Sequence, residues 1–316
     1  LILITNLLYG LCPNFVLLTD GSFFDRLLIT DLPKTKIMSS KILAAFDGVK
    51  YSEGASKYAI EIAKLTDSML VGVFIQDMRY INFTYAYAWE QPFIDMSSIE
   101  ESQKAERGKI ELNIKLFHRA CEEKGIKHKV HLDKGVPLQE LMHESAFSDM
   151  IIIDSHTSFF TIGNNSPSPF LKDFLTDSHC PVLIVPHTYT FFDNVVLCYD
   201  ASPGSIYAIK SFSYLFPKAA GDLKTTVLSI NEKPTNHLKD AHNFKDLVHL
   251  HFKDAEFQVL NGNPNEELAK YLTTNGGHSL VVMGAYGRNA ISRLFHQSLS
   301  NQIIKELNIP VFITHQ

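Results

Sequence analysis

Residues 280–298 read Leu280-Val-Val-Met-Gly284-Ala-Tyr-Gly287-Arg-Asn-Ala-Ile-Ser-Arg-Leu-Phe-His-Gln297-Ser298, and this stretch decides the fold. The short apolar run Leu280 to Met283 reads as a buried strand. It empties into Gly284, a second glycine follows at Gly287, and the pair Ser298 and Ser300 opens a helical pattern. Strand, glycine turn and helix start are how α/β proteins hold phosphates. Glycine lets the backbone approach an anion, and the unpaired amides of a helix N-terminus point at it. The same stretch also suits a plain strand–loop–helix connection whose glycines serve only the turn.

The stretch sits inside an internal repeat. Lys41-Ile-Leu-Ala-Ala-Phe-Asp47 is echoed by Asn194-Val-Val-Leu-Cys-Tyr-Asp200, an apolar run closed by aspartate. Ser52 and Ser205 each follow five residues later and are each expected to open an amphipathic helix. Gly135-Val-Pro137 is echoed by Gly262-Asn-Pro264, with proline where a first helical turn begins. Met150-Ile-Ile-Ile153 is echoed by Leu280-Val-Val-Met283, and Cys180-Pro-Val-Leu-Ile-Val185 by Ile309-Pro-Val-Phe-Ile-Thr314. Five correspondences in one order read as a tandem duplication.

The offsets locate an insertion. The first correspondences lie 153 residues apart, the Gly-x-Pro motifs only 127, so the first copy is about 26 residues longer between its second strand and its Gly-x-Pro. The extra length falls in residues 77–110, where Tyr80, Phe83, Tyr85, Tyr87, Trp89 and Phe93 precede a charged helix start. A packing flap over the sheet accounts for such a stretch, and a ligand-contacting flap is the alternative.

Periodicity gives the fold class. Val71–Ile75 and Thr226–Ile230 are apolar on both faces, as buried parallel strands are. Ala55, Ala59, Ile62 and Leu65 share a helical stripe, as do Ile206, Ile209, Phe212 and Leu215/Phe216, and Ile110, Ile114, Phe117 and Cys121. Strands alternating with helices predict an α/β fold of two tandem repeats, each an open five-stranded parallel sheet with helices on both faces, Rossmann-like. Strands are expected to begin near Lys41, Leu70, Lys127, Met150 and Pro181, then Val195, Thr225, Ala255, Leu280 and Pro310. Pro181 and Pro310 cannot donate to a ladder, which favours a strand start or a sheet edge at these positions. Apolar edges invite pairing, so the two copies are expected to dock there as an intramolecular pseudo-dimer.

On these residues the chain resembles the tandem form of the universal stress protein (UspA-like) family, whose fold is of the adenine-nucleotide alpha-hydrolase type. The resemblance covers Ser39 to Gln316, as a first repeat over 39–187 and a second over 193–316. It implies ATP or another adenine nucleotide, with Mg, as ligand, and a regulatory or sensory module in the cytoplasm, with slow hydrolysis at most. The family signature is Gly-x-x-Gly, nine residues, then Gly-Ser/Thr. Asp200, followed by Ala201, matches the aspartate on the base and ribose side, and Ile230 the apolar residue against adenine. Met283 precedes the first glycine, Gly284 and Gly287 are the pair, and Arg288 opens the nine-residue spacer. Gln297-Ser298 then stands where the family has Gly-Ser, with the amides of Ser298, Leu299 and Ser300 at the phosphates. If position 297 needs a left-handed backbone, the glutamine costs about 1–2 kcal/mol, or roughly ten- to thirtyfold in affinity.

The first repeat departs further. Its strand ends Ile153-Asp154-Ser155-His156-Thr157, with carboxylate and imidazole in place of the glycine pair, and Ser168-Pro169 stands at the Gly-Ser position. A carboxylate repels a triphosphate and Pro169 removes an amide donor. This site reads as degenerate, with no metal assigned to it.

Composition narrows the rest. The chain has 316 residues, a net charge of −5 and no basic stripe with interleaved aromatics, which argues against nucleic acid. The four cysteines, Cys12, Cys121, Cys180 and Cys198, lack paired spacing and read as reduced core thiols. No apolar run is long enough to span a membrane. Residues 1–38 belong to neither repeat and are expected to be an extension outside the fold, disordered or upstream of a natural start at Met38. The sequence holds no Walker, Gly-x-Ser-x-Gly, His-Glu-x-x-His or Cys-x-x-Cys motif. His249 and His251 would share a face on a strand and could then serve a metal, while solvated histidines explain them equally. Two function classes follow: a nucleotide-binding module, or a scaffold or small-molecule or lipid binder with both sites degenerate. A homodimer is compatible with either.

Overall fold

The computed structural model describes residues 40–79, 96–159, 168–285 and 308–315, within one compact unit that spans Ser39–Gln316. The order is β1 (Lys41–Asp47), α1 (Glu53–Thr66), β2 (Met69–Asp77), α2 (Met96–Glu123), β3 (His128–Gly135), α3 (Pro137–Ser145), β4 (Met150–Asp154), α4 (Pro169–Asp177) and β5 (Val182–Val185). It continues with β6 (Asn194–Cys198), α5 (Pro203–Leu215), α6 (Pro217–Asp222), β7 (Lys224–Asn231), α7 (Ala241–His251), β8 (Glu256–Asn261), α8 (Pro264–Asn275), β9 (Ser279–Ala285) and β10 (Val311–His315). Every strand starts within one residue of its expected position.

The strand order is β3-β2-β1-β4-β5-β10-β9-β6-β7-β8. Read outward from the middle, both halves follow the same path, which is the repeat in structural form. Pairing is parallel within each half and antiparallel where they meet, with Val311 opposite Ile184, Phe312 opposite Leu183 and Ile313 opposite Val182. The two five-stranded parallel halves thus join at the expected edges, into one continuous ten-stranded sheet. Each half ends in a fully apolar edge, and edge-to-edge pairing satisfies amides and carbonyls that would otherwise face water. The prolines lie one residue before the strands they introduce, and their carbonyls accept from Ile151 and Val281, each at 3.0 Å. That equivalent role fits a residue without an N–H.

Alternate strand residues go to opposite layers. Ile42, Ala44 and Phe46 pack with α1, α2, α5 and α7 residues, including Tyr58, Phe117, Phe212 and Val248. Leu43, Ala45, Ile151 and Ile153 pack on the other face with Leu141, Phe174 and Leu272 from α3, α4 and α8. The expected stripes are the buried ones: Ala55, Ala59 and Ile62 on α1, Ile209 and Phe212 on α5, Ile110, Phe117 and Cys121 on α2.

Two local expectations change, and the insertion takes a definite form. In the second half the helix opens at Ser202, not Ser205, because Ser202 Oγ accepts the Ser205 amide at 3.2 Å and Pro203 supplies the first-turn φ. His249 and His251 lie in helix α7, not on a strand, so two residues of spacing turns them to different sides. The insertion lengthens a helix: α2 runs 28 residues against 11 in α7. Its aromatic part, Tyr80 to Phe93, lies outside the described residues, as do residues 1–38.

Candidate functional site

In open α/β sheets, ligands bind beyond the carboxyl ends of the strands, where the chain runs to opposite sides of a starting strand. This sheet has two such points, at β6/β9 and at β1/β4.

At the first, β6 lies between β7 and β9, with Cys198 opposite Leu228 and Leu197 opposite Val282. Those registers bring Asp200, Ala201, Ile230, Met283 and Gly284 to the same end of three adjacent strands. Asp200 is exposed and Oδ1 accepts the Ser202 amide at 2.9 Å. Burial of its carboxyl works upward, but hydrogen bonds from Ser202 and Ser205 outweigh it and hold the group below the ordinary carboxylate value. Ala201 sits at φ 65°, in the left-handed region. Ile230 and Met283 belong to the same core face, Met283 being 8% exposed. Gly284 lies directly under α5: a β-carbon there would come within 2.3 Å of the Gly204 carbonyl and 2.6 Å of the Ser205 nitrogen. The remaining expected residues, Gly287, Arg288, Gln297, Ser298, Leu299 and Ser300, lie outside the described residues.

Sequence reasoning passed over two groups at this end. Asn231 Nδ2, closing β7, and Thr314 Oγ1, level with Gly284 on β10, are buried without a hydrogen-bond partner among the described residues. Polar side chains at strand ends carry no periodic signal, so the sequence does not mark them.

At the second switch point, the carboxyl end of the first half is occupied by its own side chains. Asp154 closes β4, 2% exposed. Its Oδ1 accepts the His156 amide at 2.7 Å. Its Oδ2 accepts the Ser52 hydroxyl at 2.5 Å and lies 2.8 Å from His187 Nδ1. Burial works to raise this carboxyl, and the hydrogen bonds from His156, Ser52 and His187 bring it below the ordinary value. His187 was not expected here; it lies beyond β5, where only the topology brings it to Asp154. Ser168 caps α4, its Oγ accepting the Leu171 amide at 3.1 Å and donating to the Thr157 carbonyl at 2.6 Å, while Pro169 is the first helical residue. An open cleft of about 420 Å³ lies alongside, lined by Tyr51, Glu53, Gly54, Lys57, His187, Thr188 and Tyr189.

Residues 217–315 match the universal stress protein family. A universal stress protein of Methanocaldococcus jannaschii is 28% identical over 153 residues, 46% of this chain and 81% of that protein. The crystal structure of a universal stress protein from Archaeoglobus fulgidus superposes with a TM-score of 0.64 at 20% identity, covering 89% of this chain and 97% of the other. Residues 217–315 therefore carry a universal stress protein domain, and the fold over both halves is similar to that of a solved universal stress protein. The archaeal structure supports the fold over both halves, and the M. jannaschii protein, most of which aligns to less than half of this chain, has the extent of one half.

Among the described residues, the thiols are poor nucleophile candidates. Burial pushes the Cys121 and Cys198 thiols up to about 12, and Cys180 is also raised by burial. All three are free, as expected; Cys12 lies outside the described residues. Among the described residues no helix is long and apolar enough to cross a membrane.

Proposed function

We propose that this chain is a universal stress protein that binds ATP or another adenine nucleotide at the carboxyl end of β6, β7 and β9, and acts as a regulatory or sensory module. One observation carries the reading: Gly284 brings the end of β9 against the N-terminus of α5, beside the ionised Asp200 and the apolar pair Ile230 and Met283. The α5 dipole and the Gly204 amide favour an anion, since Pro203 has no N–H and Ser202 takes the Ser205 amide; the carboxylate suits ribose hydroxyls, and the apolar wall suits a base. The unpartnered Asn231 and Thr314 groups supply further hydrogen-bonding capacity at this end. The first half lacks the cradle, because Asp154 fills the position equivalent to Gly284. Mg would be held mainly through the phosphates, as that ion usually is.

Titration with a fluorescent ATP analogue tests the reading. Wild type is expected to bind below millimolar concentration. Asp200→Ala should weaken binding by about tenfold or more, since a hydrogen bond to a charged group is worth about 1.5–3 kcal/mol. Asp47→Ala should leave it unchanged. Equal losses in the two variants would assign binding to both halves, and no binding by wild type would favour a scaffold without nucleotide.

A further inference from the structure

The carboxyl end of the first half carries a constellation that nucleotide binding does not use. We propose that Asp154, His156 and His187 form a site for a divalent transition-metal ion of the zinc class, with water or a small anion completing the coordination. The three residues each offer one ligand atom, and these atoms all lie within 4.8 Å of one another. His187 Nδ1 is 2.8 Å from Asp154 Oδ2, and His156 Nδ1 is 3.4 Å from Oδ1. Ligands about 2.0–2.2 Å from a tetrahedral ion are themselves roughly 3.4 Å apart, so the His156–Asp154 separation already suits one ion, and the His187–Asp154 hydrogen bond has to open by about half an ångström. The remaining adjustments are rotations of the imidazoles, whose side chains are 46% and 64% exposed.

The donor set selects the ion. Two imidazoles and one carboxylate suit zinc and its neighbours, whereas magnesium and calcium prefer all-oxygen sites. Asp154 is fixed by its buried position and by the Ser52 hydroxyl and His156 amide, the outer-shell support that ligating carboxylates need. Three protein ligands leave a position open, next to the cleft that His187 also lines. In the metal-free form one ring proton bridges His187 and Asp154. Binding moves that proton to the outer nitrogen of a neutral ring, or releases it from a protonated one. The replacement that removes glycine from the phosphate turn thus installs the central metal ligand.

The experiment titrates zinc into metal-stripped full-length protein by calorimetry, without nucleotide, with cobalt absorption as the second readout. One ion per chain is expected at micromolar zinc. His156→Ala and His187→Ala should each weaken binding by about tenfold or more, and Ser52→Ala by about tenfold through the loss of carboxylate orientation. Both histidines are surface-accessible, so circular dichroism should show the fold intact in their variants. His249→Ala with His251→Ala should bind as wild type does. No uptake by wild type, or uptake unchanged in both His156→Ala and His187→Ala, overturns the proposal and leaves the nucleotide reading of the second half untouched.

Discussion

Gly284 and Gly204 approach so closely that a β-carbon on Gly284 would lie 2.3 Å from both the carbonyl carbon and the oxygen of Gly204. The first half repeats the device with a different partner: a β-carbon on Gly54 would lie 2.1 Å from the His187 carbonyl oxygen. Gly54 and Gly204 each stand two residues after the serine that caps the helix, Ser52 and Ser202. In both halves a side-chain-free first turn lets a helix N-terminus settle onto the end of the sheet. In the second half that puts the start of α5 beside Gly284, and in the first it brings Ser52 to Asp154.

Gly284→Ala should therefore be costly. The clash is with backbone, which cannot rotate away, and overpacking of this kind costs about 1–3 kcal/mol. Urea denaturation should show that loss, and nucleotide affinity should fall with it. Gly221→Ala is the control: a β-carbon there meets nothing within 4 Å, and helix α6 should gain up to about 1 kcal/mol. Equal stability of Gly284→Ala and wild type would contradict the close approach.

The two strand-end aspartates titrate in opposite senses. Burial raises the Asp47 carboxyl above its ordinary 3.8, against the amides of Val49 and Lys50, whereas Asp200 is lowered. The folded chain thus binds the Asp47 proton more tightly than the unfolded chain does. That contribution to stability is complete below pH 3.8 and is lost as pH rises through the raised folded value. Asp47→Asn keeps an acceptor for the Val49 amide and removes the buried charge. It should raise stability at neutral pH and leave it unchanged in acid. Carboxyl NMR titration should place the Asp47 midpoint above that of Asp200; the reverse order would refute the assignment.

Strand positions and the edge-to-edge join were legible because buried parallel strands and proline-led edges depend on local composition. Ile151–Ile153 and Leu280–Met283 are apolar throughout, which marks them as strands buried on both faces. The helix start at Ser202 was misplaced because matching Ser205 to Ser52 by fixed offset ignored Pro203, which fixes the first turn. The Asp154–His187 contact spans 33 residues and two strands, and only the finished sheet makes them neighbours. The glycine pair was half visible: Gly284 is placed, while Gly287 and the Gln297-Ser298 departure fall outside the described residues.

Ala201 holds φ 65° immediately after Asp200. A β-carbon in the left-handed region costs about 1–2 kcal/mol, and glycine pays back about 0.4–1 kcal/mol through a freer unfolded chain. Ala201→Gly is therefore expected to stabilise the protein by roughly 0.5–1 kcal/mol in denaturant titration. Nucleotide affinity should be unchanged or slightly better, because the turn that orients Asp200 is retained. A destabilised Ala201→Gly would show that the methyl group has packing value exceeding its strain.

The join between the halves can be tested at Phe312. It pairs with Leu183 across the antiparallel seam and is fully buried. Its ring meets Phe212 edge-on at 5.5 Å and Phe216 at 6.0 Å. One core layer runs from Phe46 and Tyr58 through Leu183 to Phe312 and Phe212, so packing is continuous across the seam. Phe312→Ala should cost about 3–5 kcal/mol. Because the layer is shared, the loss should lower a single cooperative transition that includes the first half. Calorimetry of wild type and variant checks this. If the variant shows a destabilised transition for the second half and an unmoved one for the first, the halves fold as separate units and the seam is only a contact between them.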